Sequence, residues 1–98
     1  MRIILKKLGT TLTSRQIGKE SYLGFRPNLD KIKRGEIVEV NFEGVTTFAP
    51  AWGDEFLSPL LKKYGKKLVL VNTGNNPSVK ITLEILSSLG GKNFRVIY

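Results

Sequence analysis

Apolar and polar positions along this chain change period repeatedly, from the strand-like spacing of two to the helical spacing near 3.6 and back. Residues 37–42 read Ile, Val, Glu, Val, Asn, Phe, and residues 67–71 read Lys, Leu, Val, Leu, Val. Runs this short and this rich in β-branched side chains suit strands. The second has no polar residue after Lys67, which predicts a central strand covered on both faces. Residues 2–8 predict a first strand ending at Gly9, and residues 94–98 a last one.

Three helical stretches lie between these strands. The first is predicted from Arg15, with Ser14 as N-cap because its hydroxyl can accept from a free first-turn amide. Its apolar positions are Ile17, Tyr22, Leu23 and Phe25, followed by Leu29 and Ile32. Pro27 lacks an amide hydrogen, so a kink or two helical pieces are expected before Gly35. The second begins near Pro50, where a missing amide costs nothing. Its stripe is Trp52, Phe56, Leu57, Leu60, Leu61 and Tyr64, with Gly65 as the stop and a local bend expected at Pro59. Asp54 and Glu55 early, and Lys62 and Lys63 late, complement the helix dipole. The third has Asn76 as N-cap and Pro77 at its first position. Val79, Ile81, Leu83, Ile85, Leu86 and Leu89 cover a wide arc, so this helix either lies deep or offers a partner surface, and Gly90 and Gly91 end it. The order βαβαβαβ predicts one α/β domain over residues 1–98. Its four-stranded sheet should be largely parallel or mixed, with right-handed crossovers.

Composition narrows the class. Ninety-eight residues with 41% hydrophobic side chains suit one core. No apolar run approaches the roughly 20 residues needed to span a bilayer, and MRIILKK lacks the long apolar segment of a signal peptide, so a cytoplasmic protein is expected. Without cysteine there is no disulfide framework or thiolate metal site. Sixteen Lys and Arg against eight Asp and Glu give a formal charge of +8. The basic pairs Lys6-Lys7, Lys33-Arg34, Lys62-Lys63 and Lys66-Lys67 fall at element ends and read as scattered. If they converge on one face, a basic nucleic-acid-binding domain becomes the alternative function.

Catalysis has little to draw on. The chain has no histidine, which removes the commonest general base and metal ligand and any serine–histidine or cysteine–histidine triad. Glu43, Asp54 and Glu55 gather near a strand–helix junction, but the last two serve equally as dipole partners. No P-loop or dinucleotide-binding glycine pattern occurs. No catalytic residue, metal site or cofactor is expected.

The strand–loop–helix junction from Glu36 to Leu61 is therefore the strongest functional candidate, since open α/β sheets bind ligands and partners at strand carboxyl ends. It gathers Thr46, Thr47, Pro50, Ala51 and Trp52. Trp52 fits either a core aromatic or a residue lining a partner surface. The nearby Asn72, Asn75 and Asn76 fit either a capped turn or, as a third reading, a cradle for a small anion or nucleotide.

Three segments carry a resemblance: TSRQIGKE at Thr13–Glu20, VEVNFEGVTTFAPAWGDEFLSPLLKKYG at Val38–Gly65, and LVLVN with the helix after it. They resemble the STAS-like family of unknown function, small domains related to the sulfate-transporter and anti-sigma-factor-antagonist fold. The resemblance implies a module that docks other proteins in signalling or gene regulation. In the antagonist proteins a serine at the start of the helix after the central strand is phosphorylated, and the added charge breaks the partner interface. Many STAS-like relatives read Ser-Phe-Ala-Asp-Glu where this chain reads Ala51-Trp52-Gly53-Asp54-Glu55. Ala51 thus stands in the serine's place, leaving Thr46 and Thr47 as the nearby hydroxyls. Arg15 matches the family's arginine after the first loop, and it either faces the same junction or is a solvated helix residue.

The expectation is a non-enzymatic interaction module of STAS-like fold. Its apolar tip, Pro50-Ala51-Trp52, docks a protein partner while flanking cations steer that partner's acidic surface towards it.

Overall fold

Every strand of the main sheet runs in the same direction. The computed structural model describes residues 1–91 and 93–97, and of Leu89 and Gly90 the backbone alone. Its elements are β1 (Arg2–Ile4), β2 (Thr11–Leu12), α1 (Arg15–Leu29), β3 (Val38–Asn41), β4 (Thr47–Phe48), α2 (Pro50–Tyr64), β5 (Leu68–Val71), α3 (Pro77–Gly90) and β6 (Arg95–Ile97). The main sheet has the order β1-β3-β5-β6 and is parallel throughout, with Ile3 opposite Val40, Val40 opposite Leu70 and Leu70 opposite Val96. β2 and β4 form a separate parallel pair, Thr11 with Thr47 and Leu12 with Phe48. No described helix is long and apolar enough to cross a membrane.

Each crossover steps to the next strand in the same direction, so right-handed connections place all three helices on one face. Ile3, Val38, Val40, Leu68 and Leu70 point into that face and join Trp52, Phe56, Leu57 and Leu60 in one core. The other face carries Arg2, Glu39, Val69 and Arg95 in one row across the ladder. β5 is central and Leu68, Val69 and Leu70 are buried, as predicted, although the three helices lie on one face of the sheet. Val69 is nonetheless only 5% exposed, flanked across the ladder by the long side chains of Glu39 and Arg95.

The helix ends follow local chemistry. Ser14 Oγ accepts from the Ile17 amide at 3.3 Å, and Asn76 Oδ1 accepts from Ser78 N at 2.8 Å and Val79 N at 3.4 Å. α1 is a single helix that stops at Leu29, with Pro27 in its last turn and no second piece. A proline so near the end removes one bond of a turn already fraying, which replaces the predicted break. α2 is helical through Pro59. The first strand is shorter than predicted because Leu5–Lys7 form a 3-10 turn, and the β2–β4 pair was not expected.

The wide arc of α3 divides. Val79, Thr82, Leu83 and Leu86 are buried at helical spacing, whereas Ile81 is 55% exposed. In α1 the inward positions are Gly18, Tyr22, Phe25 and Leu29, and Ile17 and Leu23 face outward. Tyr98 and the Leu89 side chain lie outside the described residues.

Candidate functional site

The carboxyl edge of the sheet is built by three connections tied together through backbone groups. Thr46 and Thr47 both donate their amides to the Thr10 carbonyl, at 2.9 and 3.1 Å, and Thr46 Oγ1 donates to the same oxygen at 2.9 Å. Ala49 N donates to Leu12 O at 2.9 Å, which delivers the chain into α2. From the other side, Asn76 Nδ2 donates to Val45 O at 2.7 Å and Thr46 O at 3.1 Å. Ser78 Oγ accepts from Phe48 N at 3.0 Å and donates to Phe48 O at 3.2 Å, and Thr82 Oγ1 donates to that carbonyl as well. The amino-terminal half of α3 therefore holds β4 in place.

Thr46 and Thr47 are exposed, and Pro50 and Ala51 are half-buried. Beside them a crevice of about 360 Å³ is lined by Phe42, Glu43, Gly44, Val45, Asn72, Asn75 and Asn76. Asn72, at φ 57°, donates Nδ2 to Asn41 Oδ1 at 2.9 Å, and that oxygen also accepts from Glu43 N at 2.9 Å. An asparagine tolerates this left-handed backbone better than a branched residue.

Trp52 is corrected from partner surface to core. Its relative exposure is 0%, its ring stacks on Phe56 at 4.8 Å and 20°, and Phe48 meets it edge-on at 6.0 Å. A tryptophan at the third position of α2 points down into the helix layer rather than out over the helix tip. Among the described residues its Nε1–H has no partner, and the same holds for the buried Thr73 hydroxyl. Two glycines make room. A Cβ on Gly18 would stand 2.8 Å from the Trp52 carbonyl oxygen, and one on Gly53 would stand 2.8 Å from Phe48 Cζ. Neither was singled out in the sequence, although an isolated glycine inside a helical pattern is the signal for such close packing.

Arg15 does face the junction. Its Nη1 lies 2.8 Å from Glu55 Oε1 and 3.2 Å from Asp54 Oδ2, joining the start of α1 to the second turn of α2. The hydrogen bonds it donates to Glu55 and then Asp54 raise the guanidinium's pKa further above its ordinary value. Asp54 Oδ1 also accepts from Ser58 Oγ at 2.9 Å. The two carboxylates near the helix start are thus engaged with one cation. Among the described residues no group of three or more carboxylates is placed to hold a metal ion.

Two sequence expectations fare differently here. The loop 72–76 leaves little for an anion, since Asn76 Oδ1 takes the amides of Ser78 and Val79 and Pro77 has none to give. The basic residues, read as scattered, are so only in part, since seven of the sixteen fall at the opposite, amino edge of the sheet. Because α1 and α2 both run against the strands, their carboxyl ends arrive there together, and Lys33, Arg34, Lys63 and Lys67 line one crevice.

The model of the STAS-like domain of unknown function matches residues 25–78, from the carboxyl-terminal part of α1 through β3, α2 and β5 to the start of α3. Among curated proteins and among solved structures no match was found. The match spans more than half of the chain and takes in the strand–loop–helix junction, Ala51 included, and the parallel sheet with helices packed on it is consistent with that fold. The chain belongs to the family of STAS-like domains of unknown function.

Proposed function

We propose that this chain is a non-enzymatic interaction module that docks another protein through the carboxyl edge of its sheet, at the start of α2. One observation carries the reading: Thr46, Thr47, Pro50 and Ala51 are accessible or half-accessible, and the backbone of residues 45–49 leading into α2 is pinned by hydrogen bonds to Thr10, Leu12 and Asn76. A surface fixed before contact loses little conformational entropy on binding. Asn75 and Asn76 extend it on one side and Arg15 on the other.

The burial of Trp52 changes how docking works. The tryptophan supports the helix tip from beneath, and Pro50 and Ala51 supply the apolar contact. Arg15, already matched by two carboxylates, adds little steering towards an acidic partner. Shape and backbone groups then matter more than net charge. Ala51 removes the hydroxyl at the position that serves as a phosphorylation switch in the antagonist proteins, so docking at that point is constitutive. Thr46 and Thr47 are among the exposed hydroxyl residues beside it.

The test is Ala51→Glu. An acidic side chain in a first turn favours the helix by about 0.3–1 kcal/mol, so the fold survives while the tip gains a charge and bulk. Proteins co-isolated with the parent from native cells are identified, purified and titrated against both forms. Loss of binding by the folded variant supports the reading; equal affinity for parent and variant refutes it.

A further inference from the structure

We infer that the amino edge of the sheet is a second binding surface, for the phosphodiester backbone of a nucleic acid. Two helix-to-strand connections build it. The turn after α1 supplies Lys31, Lys33 and Arg34; the end of α2 and the 3-10 turn Gly65–Lys67 supply Lys62, Lys63, Lys66 and Lys67. These seven are exposed. None makes an ion pair among the described residues, in contrast to Arg2 with Glu39 and Arg15 with Asp54 and Glu55.

The bland account of these charges falls short. Each helix carboxyl end carries about half a negative charge, so the ends of α1 and α2 offset about one cation together. Asp30 and Glu36 are the carboxylates of this edge, leaving five formal positive charges from seven cations and two anions. Glu36 is itself engaged, accepting from the Met1 amino group and from Lys33 N at 3.2 Å. Net repulsion of this size is tolerated on a surface but not explained by folding.

The chemistry selects the ligand class. The crevice between the two connections, about 340 Å³, is lined by Lys33, Arg34, Lys63 and Lys67 with Tyr64. It offers point charges rather than an apolar slot with a few convergent polar groups, so it suits a repeated anion and not a compact metabolite. Lysine reads phosphate by charge alone, without the paired geometry by which arginine reads a base edge. Beside the one aromatic ring of the crevice, Tyr64, stands another cation, with Lys63 Nζ 5.6 Å from the ring centroid. Binding should therefore be indifferent to sequence and steep in salt. This edge is remote from the start of α2, and the inference does not depend on the docking surface there.

Fluorescence anisotropy with labelled single-stranded DNA, duplex DNA and RNA of about 20 nucleotides, titrated at a series of salt concentrations, tests it. If the four crevice cations engage phosphates, log K falls with log salt at a slope of roughly −3 to −4. The pair Lys33→Glu/Lys63→Glu should weaken binding on the order of tenfold or more at low salt and flatten that slope. Lys6→Glu/Lys19→Glu changes net charge equally, away from the crevice, and should leave most of the affinity. Circular dichroism confirms that both variants are folded, with Lys33→Gln/Lys63→Gln replacing the first pair if it is not. Absence of binding to all three polymers at low salt, equal losses in both charge-reversal pairs, or equally effective competition by polyglutamate would each overturn the inference.

Discussion

Gly18 of α1 lies directly against the backbone of Trp52 in α2: a Cβ at residue 18 would stand 2.8 Å from the Trp52 carbonyl oxygen and 3.0 Å from its Cα. The close crossing of these helices lets Trp52 sit at zero exposure, beneath the helix tip that carries Pro50 and Ala51. The candidate docking surface and the core beneath it are thereby one mechanical unit.

Gly18→Ala should destabilise the domain although alanine is the better helix former. Overpacking costs about 1–3 kcal/mol, and backbone atoms cannot swing aside, so the upper half of that range applies. The helix-propensity gain returns about 1 kcal/mol, leaving a net loss of about 1–2 kcal/mol. A Cβ added to Gly24 in the same helix would meet nothing within 4 Å, so Gly24→Ala should instead stabilise by about 0.5–1 kcal/mol. Thermal melts of the two variants should move in opposite directions. Equal shifts would contradict the helix crossing described.

Trp52 gives an optical test of the same packing. Buried and stacked on Phe56, the only tryptophan should emit at short wavelength and resist acrylamide quenching until the protein unfolds. Trp52→Phe should be tolerated better than a usual core truncation. It removes an N–H that has no acceptor among the described residues, a group whose burial costs about 1–3 kcal/mol. A red-shifted, readily quenched native spectrum would contradict its placement.

How far the sequence foretold this arrangement depended on the range of the interactions. Ser14, Asn76 and Pro77 act within a few residues of themselves, and their capping roles were readable from local pattern. The four main strands were readable as well, because β-branched runs and helical connections constrain them. The β2–β4 pair was not, since two-residue strands have no measurable period and exist through Thr10, Leu12 and Asn76 holding residues 45–49. The burial of Trp52 depends on Gly18, which lies far from it in sequence. The convergence of lysines depends on α1 and α2 running the same way, a tertiary fact that scatter along the sequence conceals.

The bond from Thr82 Oγ1 to the Phe48 carbonyl fixes β4 against α3. Thr82→Val keeps the shape and removes the donor, which should cost about 0.5–1.5 kcal/mol, while Ser78 continues to satisfy the carbonyl. Thr82→Ser should recover most of the loss. Denaturant titration with an unchanged m-value checks it; a Thr82→Val protein as stable as the parent would show that this tie contributes nothing.

Glu36 supplies a pH dependence. The hydrogen bond from the Met1 amino group, and then the Lys33 amide, hold its carboxyl below the ordinary value of 4.5. The folded state thus binds this proton more weakly than the unfolded chain. The stabilisation is complete above the unfolded pKa and disappears as pH falls through the lower folded value. Melting temperatures of parent and Glu36→Gln should differ at neutral pH and converge in acid. A gap that persists or widens below the carboxylate range would reverse this assignment.

The most direct test of the docking account is amide NMR mapping with the purified co-isolated protein. Signals of Thr46, Thr47, Ala51, Asn75 and Asn76 should shift together on addition, with those of Lys33, Lys63 and Lys67 unmoved. Shifts confined to the amino edge, or to the sheet face bearing Val69, would contradict docking at the start of α2.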